Sequence, residues 1–145
     1  MAERRARAFW KGTLTEGMGE VSLESSGLVT GAPVTWASRT ESPNGRTSPE
    51  ELLASAQAAC YAMALSSALA KRNAGVESLE VTATCAFEKV GDRFGVTSME
   101  LDVTGNVPGM DQGTFEEVAR AAEQGCPISN AIRGNVDIRL DARLA

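Results

Sequence analysis

The chain has 145 residues and a mass of 15.2 kDa, with 43% apolar and 23% charged residues. Fourteen basic side chains stand against nineteen acidic ones, for a net charge of −5 and a pI near 4.8. These values predict one folded domain over residues 1–145 and speak against a disordered chain or a basic nucleic-acid surface. Histidine is absent, which removes every site built on an imidazole base or a His metal ligand. Chemistry is left to cysteine, carboxylates, arginine and lysine.

Residues 1–11 carry Arg4, Arg5, Arg7 and Lys11 without an apolar run, so no secretory signal is expected. Residues 6–12 and 20–25 read as short strands around the glycine-rich turn at Gly17 and Gly19, and residues 34–39 as a third. Ser42-Pro43-Asn44-Gly45 marks a loop. A long helix then opens with Ser48 as N-cap, Pro49 at the first helical position and Glu51 three residues on, the pattern of a capping box. It is expected to run to Arg72 and stop near Asn73 and Gly75. Its uncharged stretch, residues 52–70, approaches the length that spans a bilayer. Its alanines and its polar Ser55, Gln57, Ser66 and Ser67 favour a buried central helix of a soluble protein.

Leu79, Val81, Ala83, Cys85 and Phe87 alternate with mostly polar residues, as in a half-buried strand. The strand over residues 94–103 changes phase between Val96 and Met99, which a β-bulge near Thr97-Ser98 would reconcile. After the Pro108-Gly109 turn, residues 114–124 read as a second helix stopped by Gly125. A short third helix starts at Cys126-Pro127 and ends by Gly134. Residues 136–144 close the chain as a strand. The order predicts an α+β fold with antiparallel sheets and a long central helix.

The three cysteines differ in setting. Cys85 reads as a small buried hydrophobe on its strand. Cys60 sits in mid-helix, where a structural role is the plain reading. Cys126 stands at the start of a short helix, where free N–H groups favour a thiolate. Spacings of 25 and 41 residues, with no Cys-x-x-Cys pair, fit no common metal pattern. Three distant cysteines also predict a reducing cytoplasm rather than a disulfide-stapled secreted domain.

Thr47-Ser48-Pro49-Glu50-Glu51-Leu52-Leu53, followed by Ala58-Ala59-Cys60-Tyr61-Ala62-Met63-Ala64-Leu65, resembles the first-cysteine motif of the OsmC/Ohr family. Gly125-Cys126-Pro127-Ile128-Ser129 resembles its second-cysteine motif, and Glu24-Ser25-Ser26-Gly27 and Val107-Pro108-Gly109-Met110 also look like family segments. The resemblance covers essentially the whole chain, with the two cysteine motifs 66 residues apart in the family's order.

The resemblance implies an OsmC-like fold forming an intertwined homodimer. It also implies a thiol peroxidase that reduces organic hydroperoxides, and hydrogen peroxide more weakly. Cys60 is then the peroxidatic thiolate, Cys126 the resolving thiol, and Glu50 the partner of the catalytic arginine. The first glycine-rich turn, Gly17-Met18-Gly19, holds no arginine, as in the OsmC rather than the Ohr branch. Trp36-Ala37-Ser38-Arg39 looks like the OsmC segment, which gives Arg39 the role. Gln57 stands where many OsmC sequences carry a histidine. The implied partners are an organic hydroperoxide and a reducing dithiol such as a lipoylated protein. No flavin, haem or metal is required, and neither nucleic acid nor membrane is implied.

The residues explain why such a set works. A free thiol is only a few per cent ionised near neutrality, and a guanidinium beside it favours the thiolate. A carboxylate pairing bidentately with the arginine would fix its direction. Glu50 and Cys60, ten residues apart, are separated by about 15 Å of rise on a straight helix. That spacing predicts a composite site, with Glu50 supplied by a second copy of the chain. A different reading is a non-catalytic dimeric stress-response protein with structural cysteines, in which Glu50 is a first-turn carboxylate and Arg39 a surface arginine.

Overall fold

The structure is a computed structural model that describes residues 1–145. It divides into two compact parts, Met1–Leu52 and Leu53–Ala145, each taken here by itself.

The first part holds a three-stranded antiparallel sheet of β1 (Arg7–Lys11), β2 (Met18–Ser22) and β3 (Ala32–Val34), with β2 in the middle. The expected third strand is corrected. Strand geometry ends at Val34, and Trp36–Thr40 form a short helix, α1. The local cause is a capping box that alternation could not reveal: Ser38 N–H donates to Thr35 Oγ1, and Thr35 N–H donates to Ser38 Oγ, each at 3.0 Å. Arg39 therefore sits on a helical turn. The Ser38 hydroxyl also lies 3.0 Å from the Thr47 carbonyl, and Thr47 N–H donates to the Pro33 carbonyl at 3.0 Å. These bonds fasten α1 to the segment that enters the long helix.

That helix, α2, spans Pro49–Ala70 without a break. Half of the predicted capping box forms: Glu51 N–H donates to Ser48 Oγ at 3.2 Å. The Glu51 carboxylate instead accepts from the Thr47 hydroxyl at 2.6 Å, a competing local donor. At the far end Asn73 adopts φ +57°. Ala74 N–H reaches the Leu69 carbonyl and Asn73 N–H the Ala70 carbonyl, the two bonds of a Schellman stop. The expectation of a buried helix holds for one stripe only. Gln57, Tyr61, Leu65 and Leu69, four residues apart, are fully enclosed, whereas Met63 is 68% exposed. α2 is the one helix long and apolar enough to cross a membrane by length and composition.

The second part carries a sheet of β4 (Ser78–Val90), β5 (Arg93–Asn106) and β6 (Asp137–Leu144), with β5 central. The β4–β5 hairpin turns through Gly91 at φ +62°. The phase slip is a bulge: Ala86 pairs Ser98 and Phe87 pairs Val96, leaving Thr97 as the extra residue. The sheets are largely antiparallel, as expected; the exception is β6, which runs parallel to β5. The connection between them carries α3 (Gln112–Gly125) and α4 (Pro127–Ile132), long enough for a crossover back to the starting end of β5. Gly125 is the last residue of α3 rather than its stop.

Phe115, Val118, Ala119 and Ala122 form the inward stripe of α3 and pack with Tyr61, Leu65, Leu69, Leu101 and Val103. Polar stitches fix this core. Tyr61 donates its hydroxyl to the Ala119 carbonyl at 2.9 Å. The Gln112 amide donates to the Ala142 carbonyl and accepts from Leu144 N–H, both at 2.9 Å.

Candidate active site

The four sequence-predicted residues meet in two pairs. Within residues 1–52, Arg39 donates from Nε and Nη2 to the same Glu50 oxygen, Oε1, each at 2.8 Å. The expected fork-to-fork pairing is thus replaced by two donors on one acceptor. Glu50 is only 6% exposed, and its Oε2 is buried without a partner. The guanidinium carbon lies 5.9 Å from the centre of the Trp36 ring, within reach of a cation–π attraction. Arg39 is thereby held on two sides, by the Glu50 carboxylate and by the indole three residues before it.

Within residues 53–145, the Cys60 and Cys126 sulfurs lie 3.4 Å apart, both as free thiols. Cys60 comes from the middle of α2. Cys126 ends α3 and caps α4, which starts with Pro127 at its first position. Proline suits that position because the first-turn N–H it lacks has no intrahelical partner. The chain therefore turns at Cys126, the residue just before the first turn of α4.

The electrostatics of the two thiols differ. Burial pushes the Cys60 thiol above the ordinary value, and the neighbouring Cys126 raises it further against the Ile128 N–H. Burial also opposes ionisation of Cys126. There the Ser129 N–H and hydroxyl, the Cys60 thiol and the Ile128 N–H outweigh it and hold Cys126 below the ordinary thiol value. Within residues 53–145, Cys60 is thus held above and Cys126 below the ordinary thiol value.

Ser129 and Gln57 complete this neighbourhood, and neither carried a role in the sequence reading. Both are fully buried, and Gln57 Nε2 donates to Ser129 Oγ at 2.7 Å. The available signal was spacing: Gln57 lies three residues before Cys60, on the same face of α2, and Ser129 three residues after Cys126. Of the apolar side chains in and near the motifs, Tyr61 is core and Met110 packs against the core. Met63 is exposed, and Phe87 stacks on Phe94 at 5.3 Å. Cys85 faces Met99 across the β4–β5 ladder.

The profile of the OsmC-like protein family matches residues 42–141, a span that includes Glu50, Cys60 and Cys126. The chain belongs to the OsmC family. It is 36% identical over 141 residues to the peroxiredoxin OsmC of Escherichia coli K12, covering 97% of this chain and 96% of that one. It is 33% identical over 95 residues to the organic hydroperoxide resistance protein of Xanthomonas axonopodis pv. citri, covering 65% of each. Among solved structures, an organic hydroperoxide resistance protein OsmC from Legionella pneumophila superposes with a TM-score of 0.71 at 25% identity, over 99% of both chains. OhrB of Bacillus subtilis superposes at 0.72 and 23% identity, over 96% of this chain and 98% of that one, a likeness of fold.

Proposed function

We propose that this OsmC-family chain is a thiol peroxidase that reduces organic hydroperoxides, and hydrogen peroxide more weakly, as one functional unit over residues 1–145. The observation that carries the reading is the 3.4 Å approach of two free cysteines drawn from distant positions in the chain. Relatives named peroxiredoxin and organic hydroperoxide resistance protein support the class of reaction.

In the proposed cycle the Cys60 thiolate attacks one peroxide oxygen. The O–O bond breaks, Cys60 becomes a sulfenic acid, and the leaving alkoxide takes a proton to give the alcohol. The Cys126 sulfur then attacks the sulfenic sulfur, water leaves, and a disulfide forms. An external dithiol, of the kind carried on lipoylated proteins, reduces that disulfide and is itself oxidised. These steps fit a reducing cytoplasm and call for neither nucleic acid nor membrane.

Because burial and the neighbouring Cys126 raise the Cys60 thiol, Cys60 needs a cation to become the nucleophile. We assign that task to Arg39, oriented by Glu50, which also stabilises charge developing on the departing oxygen. The unbroken α2 keeps about 15 Å of rise between Glu50 and Cys60. The assignment therefore uses the Arg39–Glu50 pair of a second copy in a two-fold dimer. The exposed apolar side chains of residues 1–52, among them Phe9, Leu14 and Met18, support such a partner.

The test is a thiol count after one equivalent of cumene hydroperoxide. The expected result is loss of two thiols per chain, none in Cys60→Ser, and two again in Cys85→Ser. Cys126→Ser should consume one equivalent and then stall or over-oxidise. Unchanged thiols in the natural chain would reject the peroxidase in favour of a non-catalytic dimeric stress-response protein.

A further inference from the structure

Gln57 is fully buried on α2, and the proposed cycle gives it no task. Its Nε2 donates to Ser129 Oγ at 2.7 Å, while its Oε1 is buried with no partner. A buried acceptor left unpaired calls for an explanation. The arithmetic of hydrogens supplies one. A serine hydroxyl has a single proton. Because Ser129 Oγ already accepts from Gln57, that proton is free for another acceptor, and the Ser129 hydroxyl, three residues after Cys126, is among the groups that hold the Cys126 thiol low.

We propose that Gln57 is a positioning residue for the resolving thiol: its amide N–H, given to Ser129 Oγ, turns the Ser129 hydroxyl proton onto the Cys126 sulfur. The orphaned Oε1 follows from that orientation. Rotating the amide would offer Oε1 to Ser129, whose proton would then bond the amide and leave Cys126 without its hydroxyl donor. A sulfur carrying charge is the stronger acceptor for that proton, which favours the orientation observed. The result is a directed chain from Gln57 through Ser129 to Cys126, 3.4 Å from Cys60. It holds Cys126 ready to attack the sulfenic acid. The inference rests on the cycle proposed above, in which Cys126 closes on Cys60.

Two measurements test it. The first needs no peroxide: the thiolate absorbance of Cys126 is titrated in a Cys60→Ala/Cys85→Ala background. Tyr61, the single tyrosine, is pushed well above its ordinary value by burial and stays out of the titration. Gln57→Met keeps length and volume without the amide, and it should lower the acid constant of Cys126 about fivefold. Gln57→Glu, whose carboxylate draws the Ser129 proton to itself, should lower it further. Ser129→Ala should lower it at least as much as Gln57→Met, and adding Gln57→Met to Ser129→Ala should change nothing more. An unmoved midpoint in Gln57→Met and Gln57→Glu, or full additivity with Ser129→Ala, overturns the proposal. The second measurement follows Cys60 sulfenic acid by quench and mass spectrometry after a peroxide pulse. In Gln57→Met it should persist about fivefold longer before the disulfide forms, and an unchanged lifetime counts against the proposal. If the natural chain loses no thiols to peroxide, the cycle fails while the titration still decides what Gln57 does.

Discussion

The two parts of the chain spend their apolar residues differently. Every buried apolar side chain, from Tyr61 to Ala142, lies in residues 53–145. In residues 1–52 the only buried side chains are Ser38 and Glu50, both polar, while Phe9, Trp10, Leu14, Met18 and Leu28 are exposed. All five residues of β1 face solvent. A small sheet with no fully buried apolar side chain gains little from burial and is marginal alone. The second part has a core that explains its own stability. The first holds an arginine–carboxylate pair on a scaffold without an apolar core of its own. The proposed chemistry follows this division, with sulfur on the self-sufficient part and guanidinium on the part in want of a partner.

The comparison can be broken at several points. The largest stability effect should come from Phe115→Ala, which empties the centre of the core and should cost about 3–5 kcal/mol in denaturant unfolding. A near-neutral result would mean that residues 53–145 are not self-supporting. In residues 1–52, Phe9→Asp should leave a poorer association surface and shift the light-scattering mass from dimer to monomer. If the natural chain is itself a monomer at micromolar concentration, the cover is not a second copy. Arg39→Met should slow the oxidation of Cys60 about a hundredfold in stopped-flow measurements; an unaltered rate removes Arg39 from the role.

Smaller effects sharpen the electrostatics. Because the Cys126 neighbour raises the Cys60 thiol, Cys126→Ala should shift the pH midpoint of Cys60 alkylation downward. The smallest effect concerns Asp111, the N-cap of α3, whose carboxylate is held below its ordinary range by the Thr114 N–H and hydroxyl. A lowered folded value means the cap stabilises above the unfolded carboxylate pKa and loses that contribution as pH falls through the folded one. Asp111→Ala should therefore melt slightly lower than the natural chain at neutral pH and coincide with it in strong acid.

Much of this was legible in the sequence where one signal was strong and local. The Pro49 helix start, the Asn73 stop, the Thr97 bulge and the Cys126 cap each follow from a short pattern with a specific backbone consequence. Arg39 was harder, because Trp36-Ala37-Ser38-Arg39 carries no apolar period and its helix depends on a reciprocal Thr35–Ser38 bond. The parallel pairing of β6 was hidden because alternation marks a strand without giving its direction. At the site, the cysteines, Glu50 and Arg39 were found through motif resemblance. Gln57 drew notice only as standing where many OsmC sequences carry a histidine, and its link to Ser129 was hidden because 72 residues separate them and only the fold brings the amide to the hydroxyl.

The separation of Cys60 and Cys126 has a consequence beyond catalysis. A bond between them would close a covalent ring through the second half of α2, both long strands and α3. In the chain-entropy view, closing a loop of this length removes about 4 kcal/mol of disorder from the unfolded chain. The resistance of the fold to melting would then report the redox state of the cell around it.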